Sequence, residues 1–181
     1  DIAKLLRKGA VYSETTTWVF RLAPAAGVAI SGLCLMFLPL GNLPAAFSFE
    51  GDLIFVIYLL ALHRFLTVIA AMDTGSAFEG MGASREMAFS ALAEPALLFG
   101  LVAVARQTGR LSLEGLIRPI DLSVWAAHGE TFMLVLAGLF LVYLAENSRL
   151  PVDDPTTHLE LTMIHEVMVL DHSGVDFAFI E

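Results

Sequence analysis

Four long apolar runs limit what this chain can fold into. They cover residues 18–40, 53–72, 87–105 and 124–145, and a helix needs about 20 mostly apolar residues to cross a bilayer. Because lipid offers the backbone no hydrogen-bond partners, a run of this kind satisfies its own backbone as a helix. The predicted fold class is therefore all-α, a polytopic transmembrane helical protein with four full spans.

Composition agrees with this fold and excludes several functions. Hydrophobic residues make up 57% of the 181 residues and charged residues 16%, whereas a soluble domain has about 25% charged residues. The formal net charge of −9 makes a nucleic acid an unfavourable partner. Because Cys34 is the only cysteine, the chain cannot form an internal disulfide or a four-thiolate metal site. We expect no metal and no cofactor in this chain.

We expect a single membrane domain over residues 1–181 that is an internal fragment of a longer protein. Residues 1–9 have an apolar and a basic side, which is typical of a short helix at the membrane surface. Residues 146–174 form an acidic loop after the fourth run. A new apolar run over residues 175–181 predicts the start of a fifth span.

The distribution of basic residues predicts the orientation in the cytoplasmic (inner) membrane. The segment before the first run carries Lys4, Arg7 and Lys8, and the loop over residues 41–52 carries no basic residue. Since cytoplasmic loops are enriched in Lys and Arg, the N-terminal segment is predicted to be cytoplasmic. Alternation of the spans then puts the acidic loop on the same side. The basic residues of the loop over 106–123 oppose this orientation.

Ionisable residues inside the apolar runs are the first candidates for function. Inserting one costs roughly 2.5–3.5 kcal/mol, so such residues usually face the protein interior. Arg64 lies near the middle of the second run and is predicted to pair with Glu94 or Glu130. Two interpretations stay open, a buried ion pair that only sets the helix register and a group that takes part in moving protons.

Glu94 stands directly before Pro95 inside the third run. The proline removes a helix hydrogen bond and kinks the helix, which suits either a proton relay beside a free carbonyl or a kink packed on a neighbour. Glu79 and Glu86 are seven residues apart and would share a face if the helix reached back to them. The hypothesis is a proton path formed by Arg64, Glu79, Arg85, Glu86, Glu94, Glu130 and Glu146.

The loop over residues 146–174 combines carboxylates, histidines and apolar residues. His158, His165 and His172 recur every seven residues, which would place them on one face of a helix. That spacing separates successive histidines by about 10.5 Å along the axis, so contacts with a partner subunit or proton carriage fit better than a metal site. A merely solvated loop is disfavoured because its second half is apolar. The residues expected to dock a partner are Arg149, Asp153, Asp154, His158, Glu160, His165, Glu166, Asp171 and His172.

The start of this loop resembles a signature of the complex I subunit 1 family, the membrane subunit of NADH:quinone oxidoreductases and of related membrane-bound hydrogenases. The matching residues are Ala145, Glu146, Arg149, Pro151, Asp153, Pro155, Glu160 and Leu161. A second match is Gly82-Ala83-Ser84-Arg85, followed by Glu94 nine residues after the arginine. The resemblance covers essentially the whole chain and implies a membrane subunit of a redox complex.

Departures from the signature point to one branch of that family. Thr156 and His158 stand where the family has glutamates, and residues 149–174 are similar to the formate hydrogenlyase and hydrogenase-4 type subunits. The resemblance implies a non-catalytic membrane anchor. A nickel–iron site and iron–sulfur clusters would lie on its partners, which are hydrogenase large and small subunits, an iron–sulfur protein and an antiporter-like membrane subunit in the lipid bilayer.

Two rival interpretations remain. In the first, the same loop forms part of a quinone chamber in an NADH:quinone oxidoreductase-like complex, which the residues at Thr156 and His158 disfavour. In the second, the chain is a purely structural anchor that conducts no ions. Flavin on a partner would favour the first rival, and unchanged ion movement after neutralisation of Glu94 would favour the second.

Overall fold

A computed structural model describes residues 2–41, 43–118, 120, 122–147 and 164–180. In chain order its helices are α1 Ile2–Leu5, α2 Trp18–Phe37, α3 Asp52–Asp73, α4 Ala77–Thr108, α5 Leu113–Ile117, α6 Leu122–Glu146, α7 His165–Met168 and α8 Gly174–Ile180. Four of them, α2, α3, α4 and α6, are long and apolar enough to cross a membrane. This confirms the predicted all-α transmembrane class.

α2 and α3 form an antiparallel pair that is tied together where α2 begins. The Thr17 side chain accepts a hydrogen bond from the Val19 amide at 3.3 Å and so caps α2. The Thr17 amide and hydroxyl both donate to the carboxylate of Asp73, the last residue of α3, the amide at 2.7 Å. The start of α2 therefore meets the end of α3.

The opposite end of this pair is closed by aromatic packing and one buried carboxylate. The Phe37 ring packs against those of Phe49 and Phe55, with centroids 5.9 and 5.3 Å away. The fully buried Asp52 accepts hydrogen bonds from the amides of Leu113 at 2.7 Å and Phe49 at 3.3 Å. This carboxylate joins the start of α3 to α5. The buried apolar cluster here contains Ile30, Cys34, Phe37, Leu53, Val56, Ala105, Leu113 and Leu116.

α4 is longer than the apolar run that marks it in the sequence. The run covers residues 87–105, whereas the helix covers Ala77–Thr108. Gly109 follows with a φ of 69°, the left-handed conformation that glycine favours after a helix. The N-terminal extension places Glu79 and Glu86 on α4 rather than in a loop.

α6 packs along α4 and is kinked at His128, whose φ of −134° and ψ of 20° leave the helical region. The rings of Trp125 and Phe132 stack across the kink with centroids 5.6 Å apart. Gly100 of α4 lets α6 approach closely, since a Cβ there would lie 3.2 Å from Leu139 Cδ2. This close packing brings the end of α6 alongside the middle of α4.

α7 and α8 fold back on the bundle where α2 and α4 begin and α3 ends, which we call the α7 end. α7 packs on α4, and α8 packs on α2. Residues 164–173, which contain α7, are called the α7 segment, and its buried apolar residues are Ile164, Val167, Met168 and Val169. The prediction that His165 and His172 share one helix face is wrong, because α7 stops at Met168. The chain's own helices thus cover much of the apolar surface in the second half of the loop.

The N-terminal segment also reaches the α7 end. α1, Ile2–Leu5, is shorter than the surface helix expected over residues 1–9. The Val11 amide donates to Ser173 Oγ at 3.0 Å, and the Ser173 hydroxyl donates to the Val11 carbonyl at 3.3 Å. Gly174 has a φ of 58°, and a Cβ there would lie 2.7 Å from the Gly9 carbonyl oxygen. This turn and close approach require glycine.

Candidate functional site

Arg64 is the centre of the candidate site. It lies in the middle of α3, with its side chain 12% exposed. Its Nη1 donates to Glu94 Oε1 at 2.7 Å, and its Nε lies 3.2 Å from Glu86 Oε1. Its Nη2 also contacts Glu146 Oε2. One guanidinium therefore bridges three carboxylates that come from two other helices. We call these four side chains the Arg64 cluster.

Each carboxylate reaches Arg64 because of its position on its helix. Glu86 and Glu94 are about two turns apart on α4 and so share a face. Pro95 follows Glu94 inside α4, and because proline has no N–H, a carbonyl one turn earlier loses its helical partner. Glu146 is the last residue of α6. The three converge because α4 packs against both α3 and α6.

A cavity of about 460 Å³ opens beside the Arg64 cluster. Apolar side chains of α3, α4 and α6 line much of it, together with Met168 of α7. Its polar lining beyond the cluster includes His63, Thr67, Tyr143, Asn147 and His165. The cavity therefore connects a charged cluster within the membrane-spanning helices to α7.

The Arg64 cluster contains more carboxylates than cationic groups. Charges in a low-dielectric interior interact far more strongly than in water. Three carboxylates around one guanidinium make acidic groups outnumber cationic ones here. Carboxyl groups can serve as acid–base groups in proteins, and these three lie between the spanning helices, beside the cavity.

Glu79 occupies a separate position on α4, close to α7. It is fully buried, and its Oε1 accepts a hydrogen bond from the Asp171 amide at 3.1 Å. Its Oε2 has no hydrogen-bond partner among the residues that the structure describes. One turn later, a Cβ at Gly82 would lie 2.9 Å from the Ile164 carbonyl oxygen. Glu79 and Gly82 together hold the α7 segment against α4.

Besides Glu79, two members of the predicted path lie outside the Arg64 cluster. Glu130 is exposed on α6, about 24 Å along the helix from Glu146. Of the two carboxylates expected to pair with Arg64, Glu94 contacts it, whereas Glu130 is too far along its helix to do so. Arg85 is half-buried beside Glu86 on α4 and is not among the described residues that line the cavity.

The residues expected to dock a partner fall into three groups. His165 and Glu166 of α7 are exposed, as is Asp171, and His165 also lines the cavity. His172 is buried and so is not available as a surface contact, which corrects its assignment to a docking face. Five of them lie outside the described residues: Arg149, Asp153, Asp154, His158 and Glu160.

His172 instead belongs to the packing between α2 and the segment before α8. Its ring stacks on that of Phe20, with centroids 3.9 Å apart and planes 3° from parallel. Burial lowers the pKa of His172, although the nearby Asp176 and Asp171 carboxylates partly oppose this shift. A hydrogen bond with Asp176, together with burial, raises the pKa of Tyr12 on the N-terminal segment.

Sequence reasoning missed His63 and Asp52. A usable signal existed for His63, because it lies beside Arg64 inside an apolar run, where an ionisable residue suggests function. Asp52 opens α3 and resembles an ordinary acidic residue in a first turn. Its contact with the Leu113 amide joins residues far apart in the sequence, so no local sequence pattern predicts it.

The side chains of the described residues do not form a metal site. Within residues 2–41, 43–118, 120, 122–147 and 164–180, no three His, Cys, Asp or Glu side chains are grouped so that they could hold a metal ion. In the Arg64 cluster the guanidinium already occupies the space between the carboxylates.

Comparison with known proteins agrees with this architecture. Hydrogenase-4 component C of Escherichia coli K12 is 33% identical over 178 residues, covering 98% of this chain and 55% of the relative. Formate hydrogenlyase subunit 4 of the same strain is 32% identical over 178 residues, covering 98% and 56%. An NADH-quinone oxidoreductase subunit of Polaromonas naphthalenivorans is 27% identical over 187 residues, covering 98% and 51%.

The chain spans about half the length of the curated relatives that it matches. Its four apolar helices and these relatives make it part of a multi-pass membrane protein. The family model described as NADH dehydrogenase matches residues 1–181. On this match over its whole length, and on two relatives above 30% identity, the chain belongs to the NADH dehydrogenase family.

Proposed function

We propose that this chain forms much of the membrane anchor subunit of a formate hydrogenlyase-type hydrogenase complex, with a proton path through the Arg64 cluster. Two relatives above 30% identity carry the names hydrogenase-4 component C and formate hydrogenlyase subunit 4. The residues at Thr156 and His158 agree with that branch of the family. The single observation that carries the proton path is the contact of one arginine inside a spanning helix with three carboxylates beside a cavity.

In this proposal the acidic loop docks a soluble arm that carries the nickel–iron site and the iron–sulfur clusters. The exposed His165, Glu166 and Asp171 support such a contact, as does the largely exposed Leu170. The contacts of Glu79 and Gly82 with the α7 segment would hold this surface rigidly on α4. A preformed surface loses less conformational entropy when a partner binds.

The docking surface faces the cytoplasm in this proposal. The basic residues before α2 and their absence between α2 and α3 support that orientation. The N-terminal segment and the α7 segment lie at the same end of the bundle, where Val11 and Ser173 exchange hydrogen bonds. Protons entering from the cytoplasm would reach the Arg64 cluster through the cavity.

The proton path is tested by Glu94→Gln in the full-length subunit within its complex. The amide has the shape of the carboxyl but cannot hold the transferred proton. We expect proton movement into inverted membrane vesicles to fall by about 100-fold, the lower range for loss of a positioned acid–base group. Hydrogen evolution driven by an artificial donor to the soluble arm should remain. Proton movement is followed with a pH-sensitive dye.

Glu114→Gln is the matched control, since Glu114 pairs with Arg118 at the opposite end of the bundle, away from the cavity. It should leave proton movement unchanged. If Glu94→Gln behaves like the control while the complex stays assembled, the chain is a purely structural anchor and the proton path is wrong.

The assignment to a hydrogenase complex is tested by metal and flavin analysis of the complex that copurifies with the full-length subunit in mild detergent. Nickel and iron without flavin are expected. Flavin and iron without nickel would favour the quinone-reducing rival, which the 27% identity to an NADH-quinone oxidoreductase subunit keeps as the second candidate. Absence of nickel, iron and flavin would contradict both assignments.

A further inference from the structure

We propose that His63 carries protons between the α7 end of the cavity and the Arg64 cluster, and that Gly27 of α2 exists to seat its ring. This inference rests on the proposed proton path and adds a transferring group and its positioning residue. His63 directly precedes Arg64 on α3 and lines the same cavity. Its position therefore satisfies the first need of a proton carrier, which is access to both the cluster and the open space.

The imidazole occupies a place that only glycine leaves free. A Cβ at Gly27 would lie 2.8 Å from His63 Nε2 and 3.0 Å from Cδ2. Gly27 is buried in the interior of α2, where glycine favours the helix less than alanine does. The close approach of the ring gives this glycine a physical reason. It also fixes the ring, since the Cδ2–Nε2 edge rests on α2 and Nδ1 lies on the opposite edge.

The His63 imidazole has no hydrogen-bond partner within the part of the chain that the structure describes. A ring used only for packing would serve as well as an apolar side chain, whereas an ionisable residue in a spanning helix carries an insertion cost. The other charged and titratable groups around the cavity are Arg64 on α3, Glu86 and Glu94 on α4, Tyr143 and Glu146 on α6 and His165 on α7.

The proposed proton transfer uses one atom of His63, Nδ1, for both uptake and release. Nδ1 accepts a proton from cavity water, which gives an imidazolium and leaves hydroxide to be neutralised by the cytoplasm. Nδ1 then releases that proton, through cavity water, to a carboxylate of the Arg64 cluster, and the neutral ring is restored. Nε2 keeps its proton throughout. Histidine suits this step because it exchanges protons near neutral pH in water, and the cavity is large enough for several water molecules.

The test is His63→Ala in the complete complex in inverted membrane vesicles, with and without added imidazole. We expect proton movement to fall by about 100-fold, as for loss of a positioned acid–base group. Free imidazole should fill the space left by the side chain and restore much of the movement. Pyrazole has the same size but is a far weaker base, so it should not restore it. Donor-driven hydrogen evolution reports that the complex is intact.

The outcomes separate this inference from the proposed function. Loss in Glu94→Gln but not in His63→Ala would overturn the role of His63 and leave the proton path standing. No loss in either variant would overturn both. A loss in His63→Ala that imidazole and pyrazole both restore would show that the side chain only fills space. A loss that neither restores would contradict proton transfer by an imidazole at this position. His128→Ala is the matched control, a histidine of α6 that does not line the cavity.

Gly27→Ala tests the positioning separately. The added methyl should push the ring from its seat and reduce proton movement, although His63 is still present. Gly32→Ala on the same helix is the control, since nothing lies within 4 Å of a Cβ there. In a His63→Ala background, Gly27→Ala should cause no further loss, because its effect acts through the ring. If Gly27→Ala lowered proton movement further in the His63→Ala background, its effect would not act through the His63 ring, and the positioning role of Gly27 would be wrong.

Discussion

At the scale of single residues, the contribution of a polar side chain to stability depends on whether it finds a partner inside the bundle. Arg64 sits in a spanning helix and is matched by three carboxylates. Asp52 is fully buried and accepts two backbone hydrogen bonds. Removing one partner of a buried charged contact leaves the other unsatisfied, which costs more than the contact is worth on the surface. Stability tests therefore belong at such residues.

Asp52→Ala should destabilise the protein. The amide of Leu113 would lose its acceptor inside the fold, and each buried unsatisfied group costs about 1–3 kcal/mol. Thermal unfolding in detergent measures the change. Glu50→Ala provides the comparison, because Glu50 is exposed and only a 3.9 Å contact links it to Arg110. Equal midpoints for both variants would show that Asp52 does not join α3 to α5 as described.

His172 should make stability depend on pH. Burial lowers the pKa of His172 in the folded protein below its ordinary value of 6.5. The unfolded chain therefore binds more protons just below pH 6.5, so this contribution to stability is complete above pH 6.5 and is lost as the pH falls towards the folded pKa. Thermal midpoints between neutral and mildly acid pH report it. His172→Phe keeps a ring against Phe20 and should reduce the slope; an unchanged slope would contradict this origin.

At the scale of elements, close helix contacts depend on glycines whose role the sequence does not reveal. Gly27, Gly82 and Gly100 each allow another element to approach α2 or α4, whereas a Cβ at Gly80 or Gly32 would meet nothing. All five are helical glycines with the same local appearance. The difference arises only from which helix packs against each one, as expected for membrane helices that associate through small residues.

Gly82→Ala should loosen the α7 segment. A Cβ there would lie 2.9 Å from the Ile164 backbone carbonyl, which cannot turn away as a side chain does. Gly80→Ala, two residues earlier, should instead be neutral or stabilising by up to about 1 kcal/mol from helix propensity. Limited proteolysis of the α7 segment distinguishes the pair. Equal protection of both variants would contradict the close contact between α4 and α7.

At the scale of the whole molecule, the four spanning helices alternate in direction and gather several distant segments at one end. The N-terminal segment, the starts of α2 and α4, the end of α3 and both α7 and α8 meet at the α7 end. The aromatic residues and α5 close the other end. The α7 end is the one that the proposed function assigns to a partner.

This arrangement predicts opposite labelling of two single-cysteine variants of the full-length subunit, in which every native cysteine, Cys34 included, is replaced by serine. Leu170→Cys lies at the α7 end and Leu43→Cys at the other, and both native side chains are more than half exposed. In intact cells an impermeant thiol reagent should label Leu43→Cys alone, and in inverted vesicles from which the soluble arm has been removed it should label Leu170→Cys alone. Labelling of Leu170→Cys in intact cells would reverse the proposed orientation and move the docking surface outside.

Much of the fold was predictable because it depends on local chemistry. Apolar runs longer than a membrane is thick must form helices whatever surrounds them, and four such helices are present. The candidate site was predictable only in kind. A charge such as Arg64 inside an apolar run requires a partner, so a carboxylate was expected, but Glu94 and Glu130 were equal candidates in the sequence.

The sequence by itself determined the number of spanning helices, the family, and the presence of charge where lipid would otherwise be. The tertiary structure alone decided that α4 reaches back to Ala77, that Glu86 and Glu146 join Glu94 on Arg64, and that His172 is buried. The physical reason is the distance along the sequence over which each interaction acts. Burial of an apolar run is a property of neighbouring residues, whereas the pairing of a charge is a property of which helices pack together.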